Sequence, residues 1–205
     1  MMLFDDAYNE IQSISTGLYK ERGSKFIAYL YPVYTKKEIE EKLRIVKKKE
    51  KSASHYCYAY TLRPDRSLVK THDDGEPAST AGKPILTQIK INQLTNIIVV
   101  VVRYFGGKKL GIPGLISAYK NATIDGMKNA TIINKKIKEQ YEISFNHTEM
   151  NDVMKVIKKH NLEIQKRRFQ ENNLLIINVL KTKSDVFLKI FKNNSKVKVK
   201  YKTMI

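Results

Sequence analysis

Asn96-Ile97-Ile98-Val99-Val100-Val101-Val102-Arg103-Tyr104-Phe105-Gly106-Gly107-Lys108-Lys109-Leu110-Gly111 is the stretch whose reading decides the fold. The β-branched aliphatic run from Ile97 to Val102 lacks the alternation of a half-solvated strand. It predicts a strand buried on both faces, and hence a sheet covered on both sides. That strand delivers Arg103, Tyr104 and Phe105 into a turn rich in glycine and lysine. A second turn-rich stretch, His72-Asp-Asp-Gly-Glu-Pro-Ala-Ser-Thr-Ala-Gly-Lys-Pro84, lies upstream. A core strand that ends in a basic glycine loop, beside an acidic turn, is how a scaffold presents a site.

Outward from this strand, Ser24 to Tyr34 is aromatic and β-prone, and His55 to Leu62 reads as a further strand. Thr35 is placed to cap a helix reaching about Glu50, with Glu38 where a capping box requires it. Ile39, Leu43 and Val46 share that helix's apolar face. Ile85, Leu86, Ile89 and Leu94 indicate a short helix with Pro84 at its first position, and another begins at Pro113. The latter presents Leu115, Ile116, Tyr119, Ala122 and Met127.

A different rhythm starts near Asn134. Gln140–Phe145, Leu162–Phe169, Leu174–Leu180 and Val197–Tyr201 read as strands, with a turn at Glu171-Asn-Asn. Glu149–His160 and Val186–Phe191 read as helices. The resulting β-α-β-β-α-β order is the ferredoxin-like split motif. The expected fold class is therefore α+β in two domains, residues 1–134 and 135–205.

Across 205 residues, 38 Lys+Arg face 20 Asp+Glu for a net +18. Such an excess favours polyanionic partners, although a lysine-rich surface also serves solubility. Residues 138–205 hold 15 basic and 7 acidic side chains, a net +8, which leaves +10 for residues 1–137. Lys166-Arg-Arg and Lys196-Val-Lys-Val-Lys read equally as solvated strand faces and as binding surface; alternation puts three lysines of the latter on one face, as a protected edge strand would. The single cysteine, Cys57, rules out an internal disulfide and suits a reducing compartment. The amino terminus lacks a basic start and long apolar stretch, and no apolar run approaches the ~20 residues that span a bilayer. A cytoplasmic protein with no membrane partner is expected.

The two glycine turns each lead into a helix whose amino terminus suits phosphate groups. Glycine permits close backbone approach, and Lys83, Lys108 and Lys109 add charge. Plain tight turns explain the same residues. Neither a Walker loop nor a dinucleotide fingerprint is present, so ATP and NAD are unsupported and no cofactor is expected. Arg103 follows a buried strand and needs a specific partner, which Asp73, Asp74 or Glu76 can supply as a buried salt bridge. Tyr104 and Phe105 offer a stacking face, with at least one of them turned to the core. His55, His72, Asp73, Asp74 and Glu76 lack the spacing of zinc hydrolases, and no nucleophile elbow is found. Neither a catalytic nor a metal site is assigned.

Taken together, Glu21-Arg-Gly-Ser-Lys-Phe-Ile27, His55-Tyr-Cys-Tyr-Ala-Tyr60, Asp73-Asp-Gly-Glu-Pro-Ala-Ser-Thr-Ala-Gly-Lys-Pro84, Val99 to Gly111 and Gly114-Leu-Ile-Ser-Ala-Tyr119 resemble the YigZ/IMPACT family. The resemblance covers about residues 18–130, and topology extends it to the remainder. It implies an amino-terminal α/β sandwich of the ribosomal-protein type and a small carboxy-terminal domain similar to one in elongation factor G. It also implies a role in translation: eukaryotic relatives regulate initiation by competing with a stress kinase for its ribosome-associated activator, and bacterial surfaces have suggested nucleic-acid binding. A proline-dipeptidase label on some members finds no support in these residues. Where the family has Leu-Gly-x-Gly-Gly-Leu, this chain has Ile112-Pro113 before Gly114, which stiffens the loop.

The expectation is an RNA- or ribosome-binding regulator of translation, with a translation-regulatory protein as a further partner. Arg103, Tyr104, Gly106, Gly107, Lys108, Lys109 and Lys83 would make the contact, and Asp73, Asp74, Glu76 and His55 would shape it. The alternative is a hydrolase acting on a phosphorylated or peptidic small molecule between the 72–84 and 103–114 loops.

Overall fold

The computed structural model describes residues 6–169, 172–192 and 196–205. The opening residues 1–5, read above for a leader, and Glu171, read as part of a turn, lie outside the described residues. The chain divides into two compact units, Tyr8–Lys135 and Lys136–Ile205, the latter also holding Asp6 and Ala7.

In the first unit the elements run β1 (Ala7–Ile11), β2 (Ser15–Glu21), β3 (Ser24–Pro32), α1 (Lys36–Lys49), β4 (His55–Leu62), β5 (Leu68–His72), α2 (Gly82–Ile91), β6 (Ile97–Tyr104), α3 (Gly111–Lys128) and β7 (Ile132–Lys136). Five strands form an antiparallel sheet in the order β2-β3-β6-β4-β5, and β1 pairs with β7 separately. The aliphatic run is the central strand, and every residue from Ile97 to Val102 is fully buried. Its unbroken hydrophobicity follows from helices on both faces. Val99 and Val101 pack with Ile85 and Ile89 of α2 and Leu115 and Tyr119 of α3, whereas Ile98, Val100 and Val102 pack with Ile39 and Val46 of α1.

Helix α1 begins as its sequence requires. Thr35 Oγ1 accepts from the Glu38 N–H at 3.2 Å, and Glu38 Oε2 accepts from the Tyr34 N–H at 2.6 Å. Lys47, Lys48 and Lys49 fill the last turn, where cations suit the helix dipole. Two starts differ from expectation: α2 opens at Gly82 and α3 at Gly111, so Pro84 and Pro113 occupy third rather than first positions. The first four N–H groups of a helix have no intrahelical acceptor, so proline costs nothing at either place. Ile116, expected in the core, is 39% exposed.

The second unit runs β8 (Lys138–Phe145), α4 (Met150–Lys159), β9 (Glu163–Arg168), β10 (Asn173–Leu180), α5 (Ser184–Lys192) and β11 (Val197–Met204). Its antiparallel sheet has the order β11-β8-β10-β9, the ferredoxin-like arrangement. Tyr141, Ile143, Val153, Ile157, Leu175, Ile177 and Phe187 are among its core residues. Lys166-Arg-Arg and the lysines of Val197–Lys202 lie on the two edge strands, where charge discourages pairing with other chains. No helix among the described residues is long and apolar enough to cross a membrane.

Candidate functional site

Alternation along β6 sends Arg103 and Tyr104 to opposite faces of the sheet. Arg103 turns inward, with its guanidinium between the rings of Phe26 and Phe105 at 5.5 and 5.4 Å. Its Nη1 donates to Glu76 Oε1 at 2.8 Å, and both side chains are almost wholly buried. The Tyr119 hydroxyl donates to the same oxygen at 2.7 Å, and the Cys57 thiol lies 3.3 Å from that hydroxyl and donates to the Asp73 carbonyl at 2.9 Å. Arg103, expected on the contact surface, is instead the centre of a buried network tying the acidic turn to the core strand and α3. Burial pushes both the Cys57 thiol and the Tyr119 hydroxyl up, because each charged form would be desolvated.

The acidic turn is bonded inward throughout. Asp73 Oδ1 accepts from the N–H groups of Gly82 (2.8 Å) and Ala81 (3.0 Å), and Oδ2 from that of Ser79 (2.9 Å). Burial favours its neutral acid, but these three donors outweigh it and hold the carboxyl below its ordinary range. The amino terminus of α2, expected to be open to phosphate, is thus already occupied by this chain's own carboxylate. Asp74 Oδ2 accepts from the Tyr56 N–H at 2.7 Å, and the Asp74 carbonyl accepts from His55 Nδ1 at 2.8 Å. His72 Nδ1 accepts from the Asp74 N–H at 3.1 Å, and its ring stacks on Tyr58. Each group a hydrolase would use here has an internal partner, and among the described residues no three His, Cys, Asp or Glu side chains converge as a metal site requires.

The basic loop is bonded quite differently. Gly106 packs backbone to backbone on the turn between β2 and β3; a Cβ there would lie 1.9 Å from the Gly23 carbonyl carbon. Its close approach, expected for a phosphate, is to protein. Gly107 has φ +83° with open space around it, a conformation that favours glycine. Lys108 and Lys109 are exposed, and their ammonium groups make no ion pair or hydrogen bond among the described residues. The α3 amino terminus that follows has no side-chain cap among the described residues. Lys83 sits apart on α2, lining a groove with Pro84, Ile91, Ile112, Ile116 and Lys120.

Sequence reasoning missed Glu50, at the end of α1. Its Oε1 accepts from the Tyr29 hydroxyl, its Oε2 from the Tyr104 hydroxyl at 2.6 Å, and its carbonyl from the Tyr56 hydroxyl at 2.6 Å. Burial opposes ionisation of Glu50, but the hydroxyls of Tyr104 and Tyr29 prevail and keep its carboxyl low. The same bond pushes the Tyr104 phenol up to about 12. The tyrosine-rich content of β3 and β4 was the available signal; the acid that gathers their hydroxyls lies outside any strand pattern.

The family model described as the Impact N-terminal domain matches residues 22–127. The chain is 33% identical over 149 residues to the IMPACT family member YvyE of Bacillus subtilis, covering 73% of this chain and 69% of that one. It is likewise 33% identical over 171 residues to an IMPACT family member of Haemophilus influenzae, covering 81% and 82%. Among solved structures, a crystal structure titled as a hypothetical protein superposes with a TM-score of 0.75 at 26% identity, covering 96% of this chain and 97% of that one.

Proposed function

The chain belongs to the IMPACT family, and from that premise we propose that it is a non-catalytic, RNA- or ribosome-associated regulator of translation acting in the cytoplasm. The observation that carries this reading is the contrast between the two loops. Asp73, Asp74 and Glu76 are bonded inward, whereas the ammonium groups of Lys108 and Lys109 are left to solvent beside an uncapped helix amino terminus. With the nearby acids committed, the outward field of this end of the sheet is positive, as phosphate recognition requires. Lys108, Lys109 and the ring of Tyr104 form the contact, Gly106 and Gly107 shape the loop, and Lys83 adds charge on α2. Arg103, Asp73, Asp74, Glu76 and His55 hold the loops in place from beneath.

Cosedimentation of the purified protein with ribosomes from its own source, at about 50 and 200 mM salt, tests the reading. Retention that weakens with salt and falls away in the Lys108→Glu, Lys109→Glu double variant is expected. Absence of cosedimentation at both salt concentrations overturns the ribosome association, and undiminished retention by the double variant overturns the patch.

A further inference from the structure

The face of the sheet beneath α1 is built largely from tyrosine, more than a core requires. Tyr29, Tyr31 and Tyr60 are buried under the helix, but Tyr56, Tyr58 and Tyr104 stay partly open. Beside α1, above β4 and β5, lies a cleft of about 570 Å³ walled by Arg44 and Lys47 from the helix and by Tyr56, Tyr58 and His72 from the strands. Tyr58 and His72 stand directly opposite each other in the ladder, and their rings stack at 5.1 Å with only 12° between planes. The His72 side chain is 46% exposed. Lys47 Nζ sits 5.5 Å over the Tyr56 ring, and the Arg44 guanidinium has no partner among the described residues.

We infer that this cleft seats an unpaired nucleotide of a single-stranded RNA, its base added to the Tyr58–His72 stack and its phosphate met by Arg44 and Lys47. The inference rests on the RNA-binding reading above and extends it to a second part of the surface. Aromatic planes interleaved with cations are what single strands require, since every base has a π-face and every linkage a charge. A duplex keeps its bases stacked inside and has none to offer. Glu40 and Asp74 on the same walls can accept from base amino or ribose hydroxyl groups, contacts that an acidic peptide side chain does not offer. Asp74 Oδ2 already holds the Tyr56 N–H, and its Oδ1 stands 3.9 Å from His72 Nδ1, within the same cluster as the stacked ring. The cleft also has a route to the basic loop. Tyr56 and Tyr104 both bond Glu50, and Tyr104 runs directly into the chain segment carrying Lys108 and Lys109. A strand held by those lysines can therefore pass over Tyr104 and Tyr56 toward Tyr58.

The test is fluorescence anisotropy with a labelled single-stranded RNA of about a dozen mixed-sequence nucleotides and with the same RNA annealed to its complement. The full chain, Tyr58→Leu, Tyr58→Phe, His72→Ala, Arg44→Ala and the Lys108→Glu, Lys109→Glu variant are compared. Wild-type protein should prefer the single strand. Tyr58→Leu should weaken that binding roughly tenfold with its salt slope unchanged, and Tyr58→Phe should keep it. Arg44→Ala should lower the salt slope by about one phosphate contact. Tyr58 is partly buried and His72 also accepts from the Asp74 N–H, so thermal unfolding of both variants is followed alongside; His72→Ala, at the more exposed position, should weaken the single strand severalfold while staying folded. Equal affinity for both RNAs, or indifference to both Tyr58→Leu and His72→Ala, overturns the cleft while binding lost only in the double lysine variant keeps the first reading. Failure of the wild-type chain to bind either RNA overturns the cleft, whereas the ribosome association stands or falls by cosedimentation.

Discussion

Arg103 Nη1 lies 2.8 Å from Glu76 Oε1, with the two side chains 7% and 3% exposed. This contact fixes the acidic turn against the central strand, so the geometry of one loop depends on the strand that carries the other. Tyr119 shares the same carboxylate oxygen and brings α3 into the arrangement. The ion pair thus joins the three segments that surround the glycine turns.

Removing one member leaves the other charged and buried without its counterion. Glu76→Ala should therefore destabilise the protein by about 3–5 kcal/mol, measured by urea denaturation. Pairing it with Arg103→Met should recover most of the loss, since an apolar side chain of similar length fills the space between Phe26 and Phe105 without a charge. A double variant no more stable than Glu76→Ala would show that the network acts through geometry rather than charge.

Asp73 acts as the cap of α2, and its contribution depends on pH with a definite sign. Its native carboxyl titrates below its ordinary value of 3.8. The stabilisation is therefore complete above pH ~4 and is lost as pH falls through the lower native value. Asp73→Asn keeps a single acceptor oxygen and should cost about 1–2 kcal/mol at pH 7, in the range of a lost helix cap. The gap between variant and wild type should narrow below pH ~4. A gap that stays constant from pH 7 to pH 3 would contradict the assignment.

How much of this was legible beforehand differs from one element to another. The unbroken run Ile97–Val102 and the box Thr35–Glu38 each contain their own signal, because central burial and helix capping are encoded locally. Strands β2 and β5 carry little apolar pattern: β2 alternates in burial but places Ser15 and Gly17 at its buried positions and Leu18 outward, and β5 stays mostly exposed at the sheet edge. Strands β1 and β7, which form a two-stranded sheet apart from the main one, carry little signal for a similar reason: five residues each, they are too short to establish a period. Candidate residues were found as turn and charge chemistry, but their pairing was not. Arg103 and Glu76 are 27 positions apart and Tyr119 and Glu76 are 43 apart, distances over which periodicity says nothing. Glu50 was invisible because its role is set by three tyrosines from separate strands.

Cys57 sits within the same buried network, and burial raises its thiol far above the range where thiolate forms at neutral pH. The native protein should resist alkylation by iodoacetamide at pH 8, whereas denatured protein should be labelled fully, as read by intact mass. Rapid labelling of the native chain would mean that the Cys57–Tyr119 contact opens on the timescale of the reaction.

The two adjacent glycines of the basic loop separate packing from conformation. At Gly106 a Cβ would fall 1.9 Å from the Gly23 carbonyl carbon and 2.2 Å from the Ser24 nitrogen, both backbone atoms that cannot rotate away. Gly106→Ala must displace either the β2–β3 turn or the loop itself, and Lys108 and Lys109 move with the loop. Gly107 meets nothing within 4 Å and is constrained only by φ +83°. Gly107→Ala should therefore cost about 1–2 kcal/mol, the strain of the left-handed region, with its lysines kept in place. Gly106→Ala should cost more and weaken RNA binding as well. The reverse order in thermal unfolding, with Gly107→Ala the more damaging, would place the constraint in the backbone angle rather than in the contact with Gly23.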